Sequence, residues 1–204
     1  MWKLLAAGCV LALIIGMILS VALAQPVSVN GFLTAALAQT RQSVVYDGAY
    51  RRIPYPMGDV PADRGVCTDV VIRAYRAVGI DLQRLVHEDM EADFAAYPHL
   101  WGLSEPDANI DHRRVPNLKT FFARHGTNLP ISPAAKDYAP GDLVTWMLPG
   151  NLPHIGIVTD RLSQDGEHPL VVHNIGAGPK LEDVLFAFPI TGHYRYGVLA
   201  TAEN

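Results

Sequence analysis

The chain has 204 residues, 50% of them hydrophobic and 18% charged, so its length supports one domain core of ordinary size rather than two. Its 16 basic and 20 acidic residues give a formal charge of -4 without a basic run, so nucleic acid is not an expected partner. The high apolar content also excludes an intrinsically disordered chain.

The first predicted element is an uncharged apolar run over residues 4–24, which follows the single base Lys3 and ends in small residues. This pattern is typical of a secretory signal peptide, so residues 1–24 are predicted to direct export to the periplasm or cell envelope. A run of about 20 apolar residues also has the length of a membrane-spanning helix. The alternative is therefore an uncleaved anchor that attaches the protein to a membrane.

Helices are predicted in the first half of the remaining chain, where apolar residues recur at helical spacing. In the principal helix, Asp63 is expected to be the N-cap and Gly79 the C-terminal stop. The predicted segments are a lead-in over residues 25–45 with a short helix after Asn30, a loop over 46–65 rich in Pro, Gly and Asp, and helices over about 64–78, 82–95 and 116–126.

Strands are predicted in the second half, as short β-rich runs separated by Gly, Pro, Asn and Asp clusters. The runs cover residues 143–147, 154–159, 170–174 and 194–199. Because they follow one another without intervening helices, they should form a mainly antiparallel sheet. Helices followed by strands predict an α+β fold, with the helices packed on one face of the sheet and a single domain over residues 46–200.

The predicted chemistry centres on Cys67, the one thiol left in the exported domain because Cys9 lies inside the apolar run. A cysteine in the first turn of a helix has its thiolate stabilised by unpaired backbone N–H groups and the helix dipole, so a lowered pKa is expected. His154 opens one predicted strand and His173 ends the next. Antiparallel neighbours can bring two such residues side by side, as a base and the group that orients it.

Each of these residues also has a purely structural interpretation. Cys67 can be a small buried apolar residue, and either histidine can be a hydrogen-bonded core residue. In that case the chain is an envelope binding or scaffold module without catalysis. The remaining histidines are scattered, without the spacing of a zinc site, so no metal and no organic cofactor is expected.

Four motifs carry a resemblance to a known superfamily: GVCTDVVIRAYRAVG, YAPGDLVTW, LPHIGIVTD and VVHNIG. In this order they resemble the nucleophile helix and the three following strands of the NlpC/P60 superfamily of papain-like cell-wall peptidases. The run over residues 46–196 is more closely similar to a bacterial envelope family described as domain of unknown function 1287. The resemblance implies a papain-like fold and makes Cys67 the nucleophile, His154 the general base and His173 the residue that orients it.

The motif around the nucleophile departs from the superfamily's usual Asp-Cys-Ser-Gly. The sequence here is Val66-Cys67-Thr68-Asp69, in which a carboxylate replaces a small residue beside the substrate. Asp69 is therefore a candidate substrate-binding residue. An amide of a peptidoglycan stem peptide is the expected target, and acyl transfer or hydrolysis of another amide is the alternative.

Further candidates for substrate binding lie in the predicted loops. Arg113 and Arg114 can hold a carboxylate of an acidic stem peptide through paired N–H groups, or form an internal salt bridge with Asp111. Asp59 can contact a substrate amine or close its own turn. Tyr55 lies upstream of the nucleophile, where the superfamily has a tyrosine that reaches the thiol.

Overall fold

The computed structural model describes residues 27–199, which contain four α-helices, three short 3-10 helices and ten strands, most of them short. The helices are α1 (Val29–Gln39), α2 (Cys67–Ala77), α3 (Leu82–Ala92) and α4 (Val115–His125). The strands are β1 (Val27–Ser28), β2 (Val45–Tyr46), β3 (Arg64–Gly65), β4 (Thr127–Asn128), β5 (Leu143–Leu148), β6 (Leu152–Leu162), β7 (Pro169–His173), β8 (Lys180–Glu182), β9 (Ile190–Arg195) and β10 (Val198–Leu199).

Six strands form one antiparallel sheet in the order β4-β9-β5-β6-β7-β8. The central strands β5, β6 and β7 are consecutive in the chain, so short connections join them. The pairs β1/β10 and β2/β3 are short parallel bridges outside this sheet. The predicted α+β class with a mainly antiparallel sheet is therefore confirmed.

Both faces of the sheet carry apolar side chains, because successive residues of a strand point to opposite faces. On one face, Ile155, Ile157 and Val172 belong to the main core, and on the other Trp146 and Val158 belong to a smaller second core. The helices supply the remaining large side chains of the main core, among them Phe32, Val71, Tyr75, Leu118 and Phe122. The helices thus pack on one face of the sheet, as the order of elements predicts.

Helix α2 begins at Cys67 rather than at residue 64. Residues 64–65 are extended and pair with β2, so they cannot belong to the helix. The cap also differs from the prediction, because the carboxylate of Asp69, and not that of Asp63, accepts the backbone N–H of Val66 at 2.7 Å. Cys67 is consequently the first residue of the helix.

The structure also shows where α2, α3 and the last predicted strand end. Gly79 is confirmed as the stop of α2, with a φ of +84° that favours glycine. Helix α3 ends at Ala92, short of residue 95. The predicted strand over 194–199 is two strands, since Gly197, at a φ of +63°, separates β9 from β10, which pairs with β1 outside the main sheet.

The helix predicted in the lead-in segment is an integral part of the core. Phe32 on α1 is fully buried, and the Nε2 of Gln39 donates a hydrogen bond to the carbonyl oxygen of Val70 at 2.9 Å. The predicted apolar run over residues 4–24 lies outside the described residues. Among residues 27–199, no helix has the length and apolar character needed to cross a membrane.

Candidate active site

The Cys67 thiol lies at the start of α2 and packs against β6, with only 4% of the residue exposed. Nearby backbone N–H groups, those of Ile155, Thr68 and Cys67 itself, favour the thiolate. Burial has the larger effect and raises the pKa of the thiol to about 11. The expected lowering is therefore wrong, because the sulfur loses more stabilisation from water than these N–H groups restore.

Strands β6 and β7 bring two buried histidines side by side. His154 on β6 is 2% exposed, and His173 at the end of β7 is 1% exposed. The Nε2 of His154 lies 3.1 Å from the Nδ1 of His173, so one of these nitrogens donates a hydrogen bond to the other. The two residues are neighbours across antiparallel strands, as the strand pattern predicts.

Gly156 gives the histidine face of the sheet the space that this contact needs. A Cβ at this position would lie 3.1 Å from the Cβ of His173 and 2.7 Å from the Cγ1 of Val171. Carbon atoms that are not bonded pack at about 3.5 to 4 Å, so any larger residue would push β7 away from β6. Steric crowding by β7 therefore explains why the LPHIGIVTD motif has a glycine at this position.

Burial favours the neutral form of both histidines. It lowers the pKa of His154 to about 3, with a further contribution from His173. Burial also lowers the pKa of His173, although the carboxylate of Glu182 on β8 opposes this effect. The Oε2 of Glu182 lies 3.0 Å from the Nε2 of His173, off the axis of a hydrogen bond. His154, His173 and Glu182 thus follow one another across three neighbouring strands.

The thiol lies beside Ile155, the residue after His154, whose backbone N–H is near enough to the sulfur to favour the thiolate. Within residues 27–199 no hydrogen bond joins the sulfur to the His154 ring, and the Nδ1 of His154 takes part in none. Nδ1 is therefore the ring nitrogen left to accept a proton. The same residues contain no group of three or more His, Cys, Asp or Glu side chains arranged to hold a metal ion.

The tyrosine beside the thiol is Tyr46 on β2, not Tyr55. Burial, together with the nearby Cys67 and Asp69, raises the pKa of Tyr46 to about 12. Tyr55 instead packs edge-on against His87, with ring centroids 5.3 Å apart. Sequence reasoning missed Tyr46 because it lies at the edge of a predicted loop, and only the pairing of β2 with β3 carries it to the start of α2.

Arg113 and Asp69 bind each other, so the substrate-binding roles predicted for them are wrong. The Nε and Nη2 of Arg113 donate to Oδ1 and Oδ2 of Asp69, each at 2.9 Å. The two side chains are only 2% and 3% exposed, which removes both from contact with a substrate. The internal partner of Arg113 is thus Asp69, and not the Asp111 that the sequence suggests.

Of the other two predicted binding residues, Asp59 is exposed and Arg114 is partly buried. Asp59 accepts hydrogen bonds from Arg73 at 3.0 and 3.2 Å and from Arg76 at 2.8 Å, so its carboxylate ties its loop to α2. Arg114 stacks over Trp101, with its guanidinium carbon 4.0 Å from the ring centroid. Arg114 forms no ion pair within residues 27–199 and stays a candidate for binding a carboxylate.

The raised pKa of Cys67 predicts slow alkylation. In a Cys9→Ala background, the folded chain should react with iodoacetamide at pH 7 on the order of 100-fold more slowly than the urea-unfolded chain, whose free thiol has a pKa near 8.5. The rate, followed by mass spectrometry, should keep rising above pH 9.

Matched variants separate burial from chemistry in this measurement. Tyr46→Ala should accelerate alkylation because it uncovers the sulfur, whereas Tyr55→Ala should leave the rate unchanged. A rate that levels off below pH 8 would contradict the raised pKa and favour the thiolate expected from the helix position.

The described residues define an α+β protein in which a buried thiol at a helix start contacts a strand that carries one of two paired histidines. A protein-family model described as Domain of unknown function (DUF1287) matches residues 33–196, from within α1 to just beyond β9. The chain belongs to this family. It is 56% identical over 163 residues to the Escherichia coli (strain K12) protein named Uncharacterized protein YijF, and the match covers 80% of this chain and 79% of that protein.

Proposed function

We propose that this protein is an exported cysteine hydrolase with a papain-like fold of the NlpC/P60 type, which cleaves an amide bond in peptidoglycan stem peptides. Cys67 is the nucleophile, His154 the general base and His173 the residue that orients the base. The observation that supports this best is the 3.1 Å contact between the two histidines, on a strand whose Ile155 N–H lies near the Cys67 sulfur. Thiol hydrolases use this arrangement of a nucleophile, a general base and a group that orients the base.

The reaction begins from a neutral pair, because burial raises the pKa of Cys67 and lowers that of His154. As the sulfur attacks the carbonyl carbon, its proton passes to the Nδ1 of His154 and the carbonyl oxygen becomes an oxyanion. Backbone N–H groups at the start of α2 stabilise this charge. The imidazolium of His154 keeps its contact with His173 through Nε2.

The tetrahedral intermediate then breaks its C–N bond, and the Nδ1–H of His154 protonates the leaving amine. The acyl group remains on Cys67 as a thioester. Water attacks the thioester while His154 accepts a proton from it. The acid is released as the sulfur leaves, and the sulfur takes the proton back from His154. The proposed steps need no metal ion or organic cofactor.

A substrate must reach a thiol that is almost fully buried. Tyr46 lies beside it on β2, a two-residue strand that pairs with β3. Displacement of β2 would uncover the sulfur. A cleft of about 210 Å³, lined in part by Met147, Pro153 and Thr191, lies at the start of β6, and its lining includes neither Cys67 nor His154.

The choice of a cell-wall substrate rests on two features of the sequence. The apolar run over residues 4–24 has the pattern of an export signal, and the four motifs around the thiol and the histidines resemble those of cell-wall peptidases. A Cys-His acyltransferase, or an amidase for a different envelope amide, would use the same residues.

The second candidate function is a non-catalytic envelope binding or scaffold module. The burial of Cys67 favours it, because a thiol with a pKa of about 11 is unreactive at neutral pH unless a base takes its proton. Catalytic and non-catalytic functions therefore differ in whether His154 acts on Cys67 when a substrate is bound.

Digestion of purified sacculi tests the proposal. The full-length protein should release fragments whose new amino and carboxyl ends, identified by mass spectrometry, reveal the bond that is cut. Cys67→Ser and His154→Ala should each lower the rate by about 100-fold or more, because the nucleophile and the base act together. His173→Gln can still form a hydrogen bond with His154 and should keep part of the rate.

His168→Gln is the matched control, because it replaces a partly exposed histidine outside the pair, and it should keep the wild-type rate. Release that persists in Cys67→Ser contradicts the nucleophile assignment. If the folded wild-type protein binds sacculi and releases nothing, the scaffold module is favoured instead.

A further inference from the structure

We infer that Glu182 fixes the tautomers of His173 and His154 so that the lone pair of His154 lies on Nδ1, which makes Glu182 a positioning residue. Its effect on tautomers follows from geometry, and its catalytic consequence rests on the proposed function. Neither the motifs nor the family match points to this residue.

Strand β8 places Glu182 at the far side of the histidine pair. β8 pairs with β7, and the Oε2 of Glu182 lies 3.0 Å from the Nε2 of His173. That nitrogen is fully buried and has no aligned hydrogen-bond partner, whereas the Glu182 side chain is 44% exposed. The carboxylate is therefore the natural acceptor for an N–H at this position.

The charge of Glu182 decides which nitrogen of His173 carries the hydrogen. A bare Nε2 would hold its lone pair close to a negatively charged oxygen 3.0 Å away, which is repulsive, whereas an N–H there is attracted to it, so Nε2 carries the hydrogen. A neutral imidazole has only one N–H, which leaves Nδ1 of His173 as an acceptor. Burial lowers the pKa of His173 and outweighs the opposing effect of Glu182, with a smaller lowering from Lys180 opposite it on β8, so the neutral ring is favoured at pH 7.

The tautomer of His154 follows from that of His173. Since Nδ1 of His173 is an acceptor, the Nε2 of His154 must be the donor across their 3.1 Å contact. The Nδ1 of His154 is then bare, and it is the nitrogen that no hydrogen bond occupies within residues 27–199. The opposite tautomers would place a hydrogen on this Nδ1, and His154 could not accept the thiol proton.

Glu182 also acts after the proton has moved. When His154 becomes an imidazolium, its Nε2–H points at His173, and the negative charge of Glu182 lies directly behind that ring. A buried cation is stabilised by such an aligned chain of donors ending in a carboxylate. Removal of the carboxylate should therefore slow the chemical step more than it weakens substrate binding.

Long-range 1H–15N correlation spectra of the 15N-labelled full-length protein at pH 7 test the tautomers directly. Wild-type protein should show Nε2–H and a bare Nδ1 for both His154 and His173. Glu182→Gln should retain these tautomers, because the amide oxygen still accepts the N–H. Glu182→Leu should convert a substantial part of both rings to the opposite tautomer. Glu167→Gln removes an exposed carboxylate elsewhere and should change neither ring.

Hydrolysis of soluble peptidoglycan fragments provides the second measurement. Glu182→Leu should lower kcat by about tenfold or more with little change in KM, and Glu182→Gln should lose much less, since general acid–base catalysis supplies about 10² to 10⁴ in rate. Wild-type spectra with Nδ1–H on His173, or Glu182→Leu spectra identical to wild type, overturn the inference. The expected spectra from a protein that hydrolyses no fragment support the role of Glu182 and contradict the proposed function alone.

Discussion

Replacement of Arg113 by Met should destabilise the folded protein by about 3 to 5 kcal/mol, because it leaves the Asp69 carboxylate buried without its cation. The Oδ2 of Asp69 also accepts the N–H of Val66 at 2.7 Å, so the carboxylate cannot turn away without uncapping α2. Ordinary domains have a total stability of about 5 to 15 kcal/mol, so this single change removes a large part of it. Because Cys67 begins the same helix, activity should fall with the folded fraction.

Urea unfolding followed by circular dichroism measures this loss. Arg84→Met is the matched control, since the Arg84–Glu88 pair is also 2.9 Å long but its side chains are 45% and 49% exposed, and its loss should cost less than about 1 kcal/mol. Asp69→Asn added to Arg113→Met should recover part of the stability, because the amide removes the buried charge and its oxygen can still cap the helix. An Arg113→Met protein as stable as the control, but slower only on substrates with free carboxylates, would restore the substrate-binding role.

Acidification below pH 6.5 should destabilise the protein steeply, because at least two histidines are buried in the neutral form. Burial lowers the pKa of His112 and of His154 to about 3, while an unfolded chain has values near 6.5. Between pH 6.5 and pH 3 the unfolded chain binds protons that the folded chain does not, so stability falls as the pH falls and the effect is complete below about pH 3. At about 1.4 kcal/mol per pH unit, each histidine lowers the free energy of unfolding by at most about 5 kcal/mol over this range.

Urea titrations at several pH values between 7 and 4 measure this dependence. His112→Leu should flatten it, since one buried titrating ring is removed from the fold. His99→Gln is the control, because its ring is exposed to water in both states and its loss should leave the slope unchanged. Carboxylates that titrate in the same pH range affect the wild-type protein and both variants equally. If the free energy of unfolding depends on pH in His112→Leu as it does in the wild-type protein, the destabilisation attributed to the buried His112 is contradicted.

Local patterns in the sequence predict the elements that hold the candidate site. The apolar spacing after Val66 predicts α2, and Gly79 stops it because a positive φ suits glycine. The alternating runs around His154 and His173 predict neighbouring antiparallel strands, and the contact between the two rings follows from that pairing. These features depend on residues close together in the chain, which is why they can be predicted from it.

The errors at the candidate site concern contacts between distant parts of the chain. Asp69 and Arg113 look like free polar residues near a nucleophile until the turn before α4 brings them within 2.9 Å of each other. Tyr46 reaches the thiol only because β2 pairs with β3. No local pattern encodes either contact, since each depends on how separate segments pack.

The sequence by itself determined the α+β class, the order of helices before strands, and the choice of one thiol and two histidines as the candidate chemistry. Only the tertiary structure decided the ionisation of these groups and the partners that hold them. A helix start favours a thiolate when water can reach it, yet the packing of Cys67 against β6 removes that water and raises its pKa to about 11. The tautomer argued for His154 likewise depends on Glu182, a carboxylate that arrives from β8 at the edge of the sheet.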